Sequence, residues 1–409
     1  MHDSNSAQLQ PVSEQSRVKE IDIIRGFALF GVLLVNVVFF SYVTIDSLTS
    51  GIHVLSYPLN LSNSTDRILA IFIKLFAEGK FYTIFSILFG LGFYIFIKKV
   101  EEKGFSPKSL FRRRLLLLML FGVLNLFLVW FGDILHVYAL IGFILLAFRN
   151  KSIKSLKRWI VILLIISTLL MTISTPSPLA LRSHFGDVDY FSYSERVERS
   201  FDIYENGSYF EIIRFRITND LPFVLISLLF TIPKILGMFL IGLLLAKLKI
   251  FHDIKGNLHL IKKMWKTTGA LSVLSTLICI IMGYIFLPSL VVASLFFGLF
   301  FELGTVFLSL FYITSLLLLL RKDTFIKILA PLQWVGRMAL TNYLVQCILC
   351  SFVFYGQGLG LITNMGILAG VLFTVVIFSL QVIFSKVWFD YYKFGPLEWV
   401  WRKYTYSKV

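Results

Sequence analysis

Apolar runs close to bilayer length follow one another through most of this chain, parted by short segments in which the basic residues gather. About twenty consecutive apolar residues are needed to carry a helix across the hydrocarbon core of a membrane. In that core every backbone polar group must be satisfied within the protein, which leaves helices or a closed barrel. Runs of this length select helices. Of the 409 residues 57% are hydrophobic and only 15% charged, far too little polar surface for a water-soluble protein of this size. The expected class is therefore all-α, a polytopic transmembrane helical bundle.

Ten spans are predicted, at about 22–45, 79–98, 112–130, 132–148, 159–176, 221–246, 267–287, 292–320, 334–355 and 363–388. An apolar stretch at 68–77 reads either as the outer end of the second span or as a separate half-helix. The eighth span is over-long, and a kink or re-entrant hairpin there brings the range to nine to eleven. Residues 1–16 are polar and read as a disordered tail, with one membrane domain over 17–409.

The charge supports this count. Lys98 to Arg114 holds seven Lys or Arg residues, Arg149 to Arg158 five, Lys247 to Lys266 six and Arg321 to Lys327 three. With ten spans all four segments fall on the side of the N-terminus, so the positive-inside rule puts both termini in the cytoplasm of a cell-membrane protein. A formal charge of +16 distributed in this way points to anionic lipid and not to nucleic acid. Residues 177–220 form the one large external segment, rich in aromatics (Tyr190, Phe191, Tyr193, Tyr204, Tyr209, Phe210), and read as a folded cap. Cys279, Cys347 and Cys350 lie inside apolar runs, with neither a disulfide framework nor a metal-ligand pattern.

Ionisable groups within spans cost several kcal/mol against lipid and normally face a protein interior or cavity. In IDIIRGFALFGVLLVNVVFF, residues 21–40, Asp22, Arg25 and Asn36 share one side of an ideal helix, within about 60 degrees of one another. That side faces something other than lipid, although a helix-end ion pair alone also accounts for Asp22 and Arg25. In GDILH, 132–136, Asp133 and His136 stand three positions apart. They suit a carboxylate orienting an imidazole base, and equally a helix cap beside an interfacial histidine. Lys234 follows Pro233, where a proline bends a helix and frees a carbonyl. Glu302 is nearly central in its own run and is the natural counter-charge for Lys234. Arg337 lies near the cytoplasmic surface, where snorkelling accounts for it. Asn342 and Gln346 share a face one turn apart and suit helix–helix hydrogen bonds as well as a ligand site. No metal site is expected.

Five blocks resemble one family: R-x-x-x-I-D-x-x-R-G-F-A-L-F-G-V-L-L-V-N at 17–36, FYTIFSILFGLGF at 81–93, WFGDILHVYALIG at 130–142, GRMALTNYLVQ at 336–346 with FYGQGLG at 354–360, and FGPLEWVWRKYTY at 394–406. They are similar to the YeiB-like bacterial membrane proteins, whose C-terminal region of unknown function would lie at about 230–409. The opening block also resembles that of heparan-alpha-glucosaminide acetyltransferase-like proteins and, more distantly, of membrane acyltransferases that modify surface polysaccharides. The resemblance implies a transmembrane-acyltransferase-like bundle. Its donor would be acetyl-coenzyme A or another acyl-coenzyme A, with no tightly bound cofactor, and its acceptor an envelope glycan or lipid. The polysaccharide enzymes carry an arginine, ten intervening residues and a histidine in the first span. Arg25 fits that pattern, but the second position is Asn36, which cannot act as a base at neutral pH. His136 is the histidine at a membrane edge available in its place, with Asp133 to orient it; Arg25, Asn36, Lys234, Glu302, Arg337, Asn342 and Gln346 are the candidate binding residues. A transporter or exporter of a small anionic or amphipathic metabolite is the alternative function, and a non-catalytic membrane partner protein a third. Membrane lipids are expected neighbours, and a homodimer is a candidate assembly.

Overall fold

The computed structural model describes residues 18–49, 63–173, 190–285 and 291–406. The tail at 1–16 and residues 177–189 of the external segment lie outside them, as do the side chains of Tyr190, Phe191 and Tyr193. All regular secondary structure among the described residues is helical, with no strand among them. In chain order the helices are α1 (Lys19–Tyr42), α2 (Ile45–Thr49), α3 (Ser64–Phe76), α4 (Lys80–Glu102), α5 (Pro107–Leu128), α6 (Leu135–Leu145), α7 (Ile153–Ile173), α8 (Tyr190–Asn206) and α9 (Tyr209–Phe215). They continue as α10 (Leu221–Lys247), α11 (Leu258–Ile280), α12 (Val291–Leu319), α13 (Asp323–Leu329), α14 (Leu332–Arg337), α15 (Ala339–Phe354), α16 (Ile367–Tyr391) and α17 (Pro396–Tyr406).

Seven helical stretches among the described residues are long and apolar enough to cross a bilayer: 19–42, 64–102, 153–172, 209–247, 258–283, 295–319 and 367–391. The protein is a multi-pass helical membrane bundle. The remaining three predicted spans correspond to shorter or more polar helices. These are α5, which carries Arg112 to Arg114 in its second turn, and the apolar helices at 135–148 and 339–354. The expected eighth span is one continuous helix, α12. The apolar stretch at 68–77 is a separate helix, α3, started by the Asn63 side chain accepting from Thr65 N–H and parted from α4 by Gly79 at φ 83°. Pro233 sits inside the continuous helix α10.

The first helix is the axis of the bundle, packed against α4, α14, α15 and α16. Its contact with α14 is backbone to backbone. A Cβ on Gly26 would stand 2.1 Å from the Leu332 carbonyl oxygen, and one on Gly336 1.9 Å from that of Asp22. Only glycines permit this approach, and it fixes Arg25 beside the helix that carries Arg337. Helices α8 and α9 fall within the segment read as a cap. Tyr204 of α8 is fully buried, its ring tilted against that of Tyr355 with centroids 4.6 Å apart and its hydroxyl donating to the Asp220 carboxylate. Helix α9 starts on a reciprocal capping box between Ser208 and Glu211.

Candidate active site

A cavity of about 890 Å³ lies within the bundle, and Asp22, Arg25 and Asn36 all line it. This accounts for the polar side of α1. At the end where α1 begins, Arg25 Nη1 donates to Asp22 at 3.0 Å, so the ion pair and the cavity wall are the same feature. Lys99, Arg114, Arg337 and Arg402 line the same cavity. Aromatic rings hold the guanidinium groups in place. Arg114 lies between the Phe96 and Trp401 rings at 4.7 and 4.3 Å, Arg337 over Phe389 at 4.1 Å and Arg402 over Phe394 at 4.4 Å. Stacking on a ring face orients a planar cation. Five cations against the Asp22 and Glu398 carboxylates make this end strongly basic.

Glu398 fastens α17 at the mouth. It accepts from the Leu340 and Thr341 backbone N–H groups at 2.8 and 3.1 Å and from the Thr341 hydroxyl at 2.6 Å, so α17 is tied to the first turn of α15. Burial pushes its carboxyl above the usual carboxylate range, against the lowering influence of these bonds.

Further along, Tyr82, Lys234 and Glu302 face the cavity. Lys234 Nζ meets Glu302 Oε2 at 2.6 Å, the pairing expected from their apolar surroundings. At the opposite end stand Asp133 and His136. Asp133 Oδ2 accepts from the His136 backbone N–H at 3.0 Å and lies 2.8 Å from His136 Nδ1. One carboxylate thus both caps α6 and orients the imidazole. Its other oxygen accepts from Asn125 Nδ2 at 2.8 Å. With Nδ1–H donating to Asp133, Nε2 carries the lone pair, and it has no hydrogen-bond partner among the described residues. A buried polar atom without a partner costs free energy, so an unpaired Nε2 on a cavity wall is a place prepared for a proton donor. Gly122 of α5 makes the arrangement possible: a Cβ there would lie 2.2 Å from the His136 backbone nitrogen.

Arg25, Asn36, Lys234, Glu302, Arg337, Asp133 and His136 are therefore brought to one cavity. Asn342 and Gln346 are not. Asn342 Nδ2 donates to Ser385 Oγ at 3.0 Å and Gln346 Nε2 to Gln381 Oε1 at 2.7 Å, which joins α15 to α16 in a buried amide ladder. The sequence reading missed Arg402, Glu398 and Gly122, while Arg112 to Arg114 were read as a basic loop that could attract the coenzyme's phosphates. Glu398 and Arg402 were legible as an i, i+4 pair on a short amphipathic helix. Among the described residues no group of three His, Cys, Asp or Glu side chains is placed to hold a metal ion.

Residues 245–408 match the family described as Protein of unknown function (DUF418). The uncharacterized protein YxaH of Bacillus subtilis is 32% identical over 416 aligned positions, covering 97% of this chain and 96% of that one. The chain belongs to the YeiB-like DUF418 family. YeiB of Escherichia coli is itself 28% identical over 398 positions, with 94% of this chain and 95% of that one covered. No solved structure matches this one. The DUF418 region supplies Glu302, Arg337, Glu398 and Arg402 to the cavity, whereas Arg25, Asp133, His136 and Lys234 come from the other part of the chain.

Proposed function

We propose that this protein is a membrane acyltransferase. It would take an acyl group from an acyl-coenzyme A at the basic mouth and pass it to a hydroxyl or amine of an envelope sugar or lipid at the His136 end. The observation that carries the reading is the single cavity lined by Arg25, Arg114 and Arg402 at one end and by His136, with its unpartnered Nε2, at the other. Stacked guanidinium groups suit the phosphates of the coenzyme. Chemistry at the far end needs a base, and Nε2 can take the proton of the acceptor as its oxygen or nitrogen attacks the thioester carbonyl. The carbon–sulfur bond then breaks, and the departing thiolate recovers that proton from the imidazolium. Asp133 stabilises the imidazolium while it exists. Asn36 lines the cavity about 16 Å beyond Arg25 by helix rise and supplies an amide donor, though not a base. On this reading the protein lies in the cell membrane with both termini in the cytoplasm, which puts the basic mouth where coenzyme A is found.

The test is incubation of the purified protein in nanodiscs with acetyl-labelled acetyl-coenzyme A. Retention of the coenzyme, together with label transfer or slow thioester hydrolysis, is expected, and H136A should retain the coenzyme without turnover. Absence of both retention and hydrolysis would rule the reading out. A second reading, export of a small anionic metabolite, draws on the Lys234–Glu302 pair in the cavity wall, since intramembrane ionisable pairs also mark transport pathways. Label accumulating unchanged across a proteoliposome membrane would favour it.

A further inference from the structure

A second groove, of about 480 Å³, opens on the same end of the bundle as the basic mouth. Lys98 and Glu101 come from the last turns of α4, Arg149 and Asn150 from the turn after α6, and Lys247 from the end of α10. Three cations against one carboxylate leave a net charge of +2 in the groove (3 − 1). Lys247 is pinned there, its Nζ donating to the Lys151 carbonyl at 2.6 Å. Positive-inside topology requires basic residues on this face but does not require them to converge from three separate parts of the chain. Phe93 is buried and lines both spaces, so it stands between this groove and the cavity of the candidate active site.

The apolar part of the groove also has a direction. Ile97 and Ile153 line it, and Ile153 is the first residue of α7. Along α7 the side chains of Val161, Ile165 and Leu169 are all exposed on the bundle surface. A phosphate seated among Lys98, Arg149 and Lys247 would thus sit at the head of an apolar track running along a membrane-crossing helix. We propose that this groove binds the phosphate of an anionic phospholipid, with the acyl chains laid along α7. Free phosphate shares the headgroup chemistry but makes no use of the track. Basic pockets between helices on one membrane face are suited to such headgroups, and each cation near the surface is worth about fivefold in affinity.

The full-length protein in detergent would be titrated with phosphatidylglycerol, phosphatidylcholine and inorganic phosphate, with binding read by native mass spectrometry and by thermal unfolding. Phosphatidylglycerol should bind in preference to phosphatidylcholine. The double variant K98Q/R149Q should weaken it by about 25-fold, and E101Q should strengthen it by about fivefold, by removal or addition of net positive charge. E101Q keeps the test decisive if the double variant folds poorly. No preference for the anionic lipid, or an unchanged affinity in E101Q, overturns the proposal. Saturation by inorganic phosphate at the affinity of the lipid assigns the groove to a soluble phosphate and overturns the lipid source. Coenzyme A plays no part in any of these measurements, so they succeed or fail independently of acyl transfer.

Discussion

Lys234 and Glu302, from helices α10 and α12, meet at 2.6 Å with side chains only 6% and 12% exposed. Removing one partner of such a pair strands the other charge, at a cost of roughly 3–5 kcal/mol, whereas removing both is often neutral. K234L and E302L should therefore each lower the yield of folded protein in detergent, and the double variant should recover much of it. Losses that simply add in the double variant would show that the two side chains contribute independently.

The Asp133–His136 contact separates catalysis from capping. H136A should lower acyl transfer by roughly 10²-fold or more, the usual scale for a positioned base, with coenzyme retention unchanged. D133N should cost less, because an amide oxygen still accepts from the His136 backbone N–H. D133A removes the cap as well and should lower stability by about 1 kcal/mol. Full turnover by H136A with normal coenzyme binding would remove this histidine from the mechanism.

Glu398 predicts a pH dependence of stability. Its folded-state pKa is raised above the ordinary value of 4.5. Its contribution to stability is therefore complete below the ordinary value and is lost as pH rises through the folded one. E398Q keeps an oxygen for the Leu340 and Thr341 N–H groups and cannot ionise. The melting temperature of E398Q relative to wild type should rise across the pH interval above the ordinary carboxyl value of 4.5. A difference that stays constant over that interval would contradict the assignment.

Topology is open to cysteine labelling in intact cells. Phe210 of α9 is 80% exposed on the cap, and Lys255 is exposed in the loop before α11. A membrane-impermeant maleimide should label F210C from outside and K255C only after permeabilisation. Both labelling from one side would require an even number of crossings between them.

Where the chain had to be polar inside lipid, the sequence was readable. The spacing of Asp22, Arg25 and Asn36 located a cavity wall, because a helix repeats every 3.6 residues whatever surrounds it. Lys234 and Glu302 were readable as a pair because each lay in an apolar run with no nearer counter-charge. Arg114 and Arg402 were not readable as cavity residues, since a basic residue that lines a mouth and one that merely sets topology look alike. Gly122 was hidden for a related reason: glycine is frequent in membrane helices, and only the position of α6 shows that a side chain there would strike His136. The helix α3 and its break at Gly79 escaped firm assignment because 13 residues are too few to cross a bilayer and too many for a loop.

The seam between Gly26 and Gly336 bears on how the chain can be cut. Helix α14 lies in the DUF418 region and α1 at the other end of the chain, yet their backbones touch. Expressed alone, residues 245–408 would present to the membrane the bare glycine notch of α14 and the open half of a cavity holding Glu302, Arg337, Glu398 and Arg402. The region that sequence comparison marks off as a unit is, physically, one shell of a two-part mould. Its inheritance as a block would reflect the shape it must present to α1, and co-expression of the two halves should assemble what neither forms alone.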